Sequence, residues 1–351
     1  MNPGFWRAKR VLLTGHTGFK GAWMAFWLER LGAQVTGFAL APETKPNLFA
    51  LSQVQLGLES RIADLADAGA VGAAVEAADP EIVLHLAAQA VVRRSYESPL
   101  ETFAANVMGT ARLLDALRGC ENLRAVLVVT SDKAYANRES GAPFTEADPL
   151  GGDDPYSASK AAAEMAANAW ARSYFDAAGV AVASARAGNV IGGGDWAADR
   201  LIPDIWRAVE AGRAPVLRYP EATRPWQHVL DPLAGYLAYA ERLAAGAGAA
   251  LPRALNFGPN DEGGLPVGAI AERMLEALGS TTGWSHDAAP QPAEKRVLAL
   301  NADAAKQALG WRPKLAISEA LAWTAEWYRA LADGDDATAI TRAQIERYEA
   351  L

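Results

Sequence analysis

Val11-Leu12-Leu13-Thr14 runs directly into Gly15-His16-Thr17-Gly18-Phe19-Lys20-Gly21, and apolar residues at helical spacing follow from Ala22 to Leu31. An aliphatic and β-branched run that ends in glycines reads as a buried parallel strand. Gly15 supplies a tight turn, Gly18 lets the backbone approach a pyrophosphate, and Gly21 lets the helix pack close against the sheet. The N-terminus of that helix then offers free N–H donors to phosphate oxygens. Tight turns use glycine for steric reasons alone. The strand before and the helix after are what make this turn a candidate dinucleotide site.

The alternation continues along the chain. Gln34 to Phe38 reads as a second strand, and Ile82-Val83-Leu84-His85-Leu86 as another. A helical stretch follows from about Pro99 to Leu117, then the strand Ala125 to Val129. An alanine-rich helix from about Tyr156 to Asp176 leads to the strand Val180 to Ala185. Repeated strand, helix, strand implies an α/β fold with a doubly wound parallel sheet of the Rossmann type. From Arg186 onward the pattern changes: Gly192-Gly193-Gly194, Arg213 to Pro220 and Asp261 to Pro266 separate short helices and isolated strands. The expected division is a dinucleotide-binding domain over 1–187, with returning segments near 226–258, and a smaller, irregular C-terminal substrate domain over 188–351. Leu255-Asn256-Phe257 is the best returning strand. Alanine clusters such as Ala161-Ala162-Ala163 are simply helix-favouring. Small residues on the helices around 100–117 and 156–176 would allow close packing across a dimer.

Composition narrows the function classes. With 351 residues, 51% of them hydrophobic and 21% charged, the chain is an ordinary globular one. Thirty-three basic against 41 acidic side chains leave a net charge of −8. That balance removes the electrostatic footprint of a general nucleic-acid binder but leaves room for anionic small molecules, through local donors. One cysteine, Cys120, excludes an intramolecular disulfide and fits a reducing compartment. His16, His85, His228 and His286 make no pair at metal-ligand spacing, so no metal site is expected. The longest apolar runs, such as Ala125 to Val129, are too short to cross a bilayer, and the N-terminus lacks a signal-peptide core. The expected setting is cytoplasmic, without membrane or nucleic-acid partners.

Two strings carry candidate chemistry. Tyr156-Ser157-Ala158-Ser159-Lys160 sets a phenol and an ammonium four residues apart, on one face of a helix. A phenol with pKa ~10 is a poor base at neutral pH, and a neighbouring ammonium stabilises its phenolate. Thr130-Ser131-Asp132-Lys133 follows the Ala125 to Val129 strand, at the carboxyl edge where open α/β sheets bind ligands. Ser131 can hydrogen-bond a substrate oxygen that alternates between alcohol and ketone, while Asp132 and Lys133 add an ionisable pair. The choice of cofactor stays open on the residues alone: no acid ends the second strand, and Glu43 and Lys45 lie farther into the loop. Asp64, followed by Leu65, either meets an adenine or caps the next helix. His85, inside a strand, reads as packed and satisfied, not as a catalytic base.

Several strings together carry a resemblance that covers almost the whole chain. They are the glycine turn from Gly15 to Gly21, Thr130 to Lys133, Gly151-Gly152-Asp153-Asp154-Pro155-Tyr156-Ser157, Arg186 to Trp196, and Arg224-Pro225-Trp226-Gln227-His228-Val229. The chain resembles the extended short-chain dehydrogenase/reductases that modify nucleotide sugars, the NAD-dependent epimerase/dehydratase family. Asp132-Lys133 resembles the branch of 4,6-dehydratases acting on CDP-glucose; dTDP-sugar dehydratases carry Asp-Glu there, and 4-epimerases lack the acid–base pair. The chain departs from the usual strings at Ala134 and Ala136, where bulkier or polar residues are common.

The resemblance implies NAD as cofactor, held by Gly15, Thr17, Gly18, Phe19, Lys20 and Gly21. It adds Asp64 and Leu65 on the adenine side, the Ala87-Ala88-Gln89 string, Asn106 as a brace, and Thr130, Tyr156 and Lys160 near the reacting end. It implies CDP-glucose as substrate, with Ser131 at the sugar, Asn189, Arg224 and Arg296 toward the phosphates, Arg200 and Leu201 at the base, and Arg218 and His228 as further substrate contacts. Trp196 and Trp226 either stack on the substrate or are core. The implied reaction is an internal redox dehydration to CDP-4-dehydro-6-deoxy-D-glucose and water. Tyr156 removes the C4 hydroxyl proton, hydride leaves C4, water is lost across C5 and C6, hydride returns to C6, and C5 is reprotonated. Asp132 is the implied proton donor to the C6 oxygen, and Lys133 is either the base at C5 or an orienter of Asp132. A homodimer or a dimer of dimers is expected. The alternatives are a 4-epimerase, a dehydratase acting on another nucleotide hexose, or a non-catalytic dinucleotide sensor; intact Ser131, Tyr156 and Lys160 argue against the last.

Overall fold

β1 (Arg10–Thr14) is buried on both faces from Val11 to Thr14, and its side chains alternate: Val11 and Leu13 enter one apolar layer, Leu12 the other. The computed structural model describes residues 2–260, 264–290 and 294–351. Residues 261–263 of the expected Asp261 to Pro266 connection lie outside that range. Around β1 stand β2 (Gln34–Ala39), β3 (Glu59–Ile62), β4 (Ile82–His85), β5 (Ala125–Val129), β6 (Ala181–Ala187) and β7 (Ala254–Phe257). They form one sheet in the order β7-β6-β5-β4-β1-β2-β3, every pairing parallel. The chain moves outward from β1 in both directions, so the switch point falls between β1 and β4, where ligands bind in sheets of this kind.

The helices cover both faces. They include α1 (Phe19–Arg30), α2 (Ala68–Ala78), α3 (Gly109–Ala116), α4 (Pro155–Trp170), α5 (Leu201–Glu210), α6 (Leu230–Arg242), α7 (Val267–Ala277), α8 (Ile317–Ala332) and α9 (Ala337–Ala350). The expected helix from about Pro99 to Leu117 is present as Pro99–Phe103, a widened turn at Ala104–Met108, and α3. α4 starts sharply because Pro155 occupies its first turn and the Asp154 carboxylate accepts the Ser157 N–H at 2.9 Å. The returning strand pairs with β6 in the register Leu255↔Ala185 and Phe257↔Ala187.

Two features depart from the sequence pattern. β3 is a largely exposed edge strand, so it shows no apolar run. After Arg186, where short helices were expected, α8 and α9 are long and fold back onto the N-terminal half. Trp27 Nε1 donates to Glu349 at 2.8 Å, and Arg30 pairs with both Glu346 and Glu349. Trp323, Trp327 and Tyr328 of α8 are buried in the layer that contains Trp23 and Trp27.

Candidate active site

The glycine turn closes only because its glycines carry no side chain. A Cβ on Gly21 would lie 1.9 Å from the Gly15 carbonyl oxygen. Gly15 has φ +78°, and a Cβ there would meet the Ala87 nitrogen at 2.7 Å. Gly18 precedes α1 without a side-chain cap, so the first N–H groups of α1 are left for an anion. Thr17 Oγ1 donates to the Leu40 carbonyl at 2.8 Å, tying the turn to the end of β2. Close backbone approach and an uncapped helix start fit a dinucleotide pyrophosphate. His16 turns away from this cradle: its Nε2 meets Ser60 Oγ at 2.8 Å, and burial pushes its imidazole down to about 4.

Beside the turn, Asn106 sits in the widened turn at Ala104–Met108, a backbone form often found at functional sites. Its Oδ1 accepts the Gln89 N–H at 2.8 Å, and its Nδ2 donates to the Gln89 carbonyl at 3.0 Å and to Ser159 Oγ at 2.8 Å. It thereby joins the loop after β4, with Ala87, Ala88 and Gln89, to α4. His85 is satisfied by Thr14 at 2.7 Å and Thr110 at 2.9 Å, and burial beside Lys160 pushes it down to about 3. Asp64 is exposed and accepts the Ala66 N–H, while Asp67, not Asp64, caps α2. Leu65 is buried next to Gly109.

At the carboxyl edge of β5 the chain makes one tight helical turn, Asp132–Ala134. Ser131 Oγ donates to Asp132 Oδ1 at 3.0 Å and accepts the Lys133 N–H at 3.2 Å. Asp132 Oδ2 is buried and accepts no hydrogen bond among the described residues. Burial pushes the Tyr156 phenol up to about 12, opposed by the adjacent Ser131 hydroxyl. Burial and then Lys20 push Lys160 down to about 7; its Nζ lies 3.4 Å from the Val129 carbonyl. Burial also lowers Lys20, to about 8, with Arg200 adding to the effect and Asp132 opposing it. Lys133 is pushed down by burial and by Arg224.

All of these groups but Lys160 line a cavity of about 420 Å³. Thr130, Ser131, Asp132, Lys133 and Tyr156 form one wall, with Phe19 and Lys20 beside them. Asn189, Arg200, Leu201, Arg218 and Arg224 come from the C-terminal half. Arg200 pairs with Asp195 at 2.9 Å and Arg218 with Asp199 at 2.6 Å. Arg224 is buried, donates to the Thr223 and Arg296 carbonyls, and approaches Glu294 at 3.4 Å.

Two expected substrate contacts are not among the residues lining the cavity. His228 is fully buried between the rings of Trp23 and Trp323, where burial pushes it down to about 3. Arg296 is exposed, and its backbone N–H donates to Glu139. Trp196 packs on Trp327 and Tyr328 in the core, whereas Trp226 reaches the cavity wall. Sequence reasoning passed over Arg93, Asp195 and Asp199, which also line the cavity. Arg93 lies in the short helix Val92–Glu97 that follows the loop after β4, a position near the ligand-binding edge that would have singled it out.

A glycine turn at the switch point, with serine, tyrosine and lysine converging at the carboxyl edge, defines a Rossmann-fold enzyme of the extended short-chain dehydrogenase/reductase class. Within it the chain belongs to the GDP-mannose 4,6 dehydratase family, whose model matches residues 12–324. It is 44% identical to the CDP-glucose 4,6-dehydratase of Salmonella typhimurium strain LT2, over 99% of this chain and 98% of that one. Among solved structures, it matches a dTDP-glucose 4,6-dehydratase from Bacillus anthracis in complex with NAD, with a TM-score of 0.77 and 22% identity over 95% of this chain and 100% of that one. A UDP-glucose 4-epimerase from Thermotoga maritima with UDP-glucose matches with a TM-score of 0.79 and 22% identity, over 92% and 99%. At that identity the two structures speak for the fold alone.

Proposed function

We propose that this chain dehydrates CDP-D-glucose to CDP-4-dehydro-6-deoxy-D-glucose and water, using NAD. The observation that carries the reading is the Ser131-Asp132-Lys133 turn set against Tyr156 in one cavity, with Asp132 Oδ2 free of partners among the described residues. Full-length kinship to a CDP-glucose dehydratase supports the choice of nucleotide. The glycine turn, Thr17, Phe19, Lys20, Asp64, Leu65, the Ala87 to Gln89 loop, Asn106 and Thr130 would hold the cofactor. When bound, NAD supplies the hydride acceptor for C4 and the donor for C6.

The chain's own residues move the protons. Tyr156 takes the C4 hydroxyl proton; Lys160, one helical turn away and held down to about 7, favours the phenolate in the fraction that carries its proton. Ser131 holds the C4 oxygen as it passes from alcohol to ketone, which it remains in the product. Lys133, whose ammonium is disfavoured by burial and by Arg224, takes the proton from C5. Asp132 delivers a proton to the departing C6 oxygen, and the C5–H and C6–O bonds break to give water. Lys133 returns a proton to C5 as C6 is reduced, and solvent exchange takes the C4 proton from Tyr156 and restores Asp132. Arg224, Arg218 and Asn189 hold the diphosphate, and Arg200 and Leu201 wall the base. Arginine suits the diphosphate because its planar fork matches two phosphate oxygens. We place the enzyme in the cytoplasm as a homodimer or a dimer of dimers. Exposed Leu100, Met108 and Met165 on neighbouring helices support the association, and the single cysteine supports the compartment.

The test is proton NMR of the protein with CDP-glucose in deuterated water, without reductant. A new C6 methyl signal with deuterium at C5 is the expected result. A galactose-configured product without a methyl group, or an unchanged spectrum, refutes the reading.

A further inference from the structure

Glu164 on α4 and Arg186 on β6 form an ion pair almost entirely out of water, with side chains 0% and 5% exposed. Two charges so placed need good geometry and further partners to offset their desolvation. Glu164 accepts from the Arg186 Nε and Nη2 groups, and Thr130 Oγ1 donates to its Oε2 at 3.1 Å. The remaining Arg186 Nη1 donates to Tyr135 Oη at 2.7 Å, and that hydroxyl donates in turn to Asn256 Oδ1 at 2.6 Å. The Tyr135 ring lies flat on Phe144 at 4.7 Å. Burial pushes this phenol well up, so it remains a hydroxyl able to donate.

The chain positions give the network its meaning. Thr130 immediately precedes Ser131, and Tyr135 immediately follows the Asp132–Ala134 turn. One buried ion pair therefore grips the acid–base turn on both sides. Glu164 lies one helical turn beyond Lys160 and two beyond Tyr156 on α4, so the same pair ties that turn to the oxidation machinery.

We propose that Tyr135 is a positioning residue, whose hydroxyl, held between Arg186 and Asn256, fixes Asp132 and Lys133 relative to Tyr156 and Lys160 so that elimination keeps pace with oxidation. This rests on the dehydratase reading above. Tyr135→Phe keeps the ring on Phe144 and removes only the hydroxyl. Its kcat should fall roughly 10- to 100-fold with KM unchanged, and reduced cofactor should accumulate during turnover, seen by its near-ultraviolet absorbance, where the parent enzyme shows none. Phe144→Leu removes the stacking partner but leaves the hydroxyl chain, so it should lower the thermal midpoint without accumulating reduced cofactor. Should Tyr135→Phe not fold, Asn256→Ala, which takes away the acceptor of the phenol, must show the same accumulation. Turnover of the hydroxyl-chain variant without reduced cofactor, or equal accumulation in Phe144→Leu, would overturn the inference. Absence of deoxysugar product from the parent enzyme would instead refute the dehydratase reading, and the inference with it.

Discussion

The Ser131 hydroxyl donates to Asp132 at 3.0 Å while standing beside the Tyr156 phenol. A single side chain thus touches the group proposed to deprotonate the C4 hydroxyl and the group proposed to protonate the departing C6 oxygen. Both half-reactions share one anchored point at the end of β5.

Separation of the two halves is the first expected consequence. Asp132→Asn keeps the Ser131 contact but cannot supply the elimination proton. Turnover should fall about 10²- to 10⁴-fold, the range of general acid catalysis, with reduced cofactor accumulating and the C6 methyl signal missing. Normal turnover of this variant would place the acid elsewhere.

Tyr156→Phe should stop the reaction one step earlier. No reduced cofactor should form on addition of CDP-glucose, while the cofactor still binds, as read by its effect on the thermal midpoint. Retained activity would remove Tyr156 from the role of base.

The 1.9 Å approach between a Gly21 Cβ and the Gly15 carbonyl predicts the behaviour of Gly21→Ala. The obstruction is backbone, which cannot step aside as a flexible side chain would. The variant should lose the cofactor-dependent rise in thermal midpoint, and calorimetric titration should show cofactor binding weakened beyond detection. Unchanged affinity would mean that the turn relaxes at no cost.

Arg224→Lys keeps the charge and loses the planar fork. The KM for CDP-glucose should rise roughly 10- to 100-fold, as expected for loss of about 1.5–3 kcal/mol from a charged hydrogen bond, with kcat little changed. An unchanged KM would show that Arg224, which already donates to two carbonyls, serves the fold only.

Acid should destabilise the protein through its buried histidines. His16 is held down to about 4, and His85 and His228 to about 3, in each case chiefly by burial. The unfolded chain protonates these groups near pH ~6.5. Below that value it binds protons the folded chain refuses, so stability is lost as pH falls from about 6.5 toward 4, by about 1.4 kcal/mol per pH unit for each histidine. Denaturant titrations across that range should show His228→Phe, which keeps a ring between Trp23 and Trp323, with a shallower decline than the parent. An identical slope would mean that His228 carries no part of it.

Much of the fold was legible in the chain because its signals are local. β5 and the Val11 to Leu13 stretch of β1, buried on both faces, leave continuous apolar runs, and α1 and α4 carry their own start signals in Gly18 and Asp154-Pro155. β3 left no such run because it is an exposed edge. His228 shows the opposite failure: within its string it is indistinguishable from a ligand-facing residue, yet it is sealed between two tryptophans, one on α1 and one on α8.

By itself, then, the sequence determined the parallel α/β layering, the glycine turn and the Tyr156–Lys160 spacing, since each is a matter of neighbours a few residues apart. Only the tertiary structure decided that Arg200, Arg218 and Arg224 would share a cavity with Asp132, and that Arg296 would not line it. It alone joined Tyr135 to Asn256 across 121 residues and brought α9 back onto α1. The physical reason is that burial and periodicity record how an element meets water and its own turns. Which distant element it meets is set by how the whole sheet and its helices pack, and no short stretch of chain encodes that.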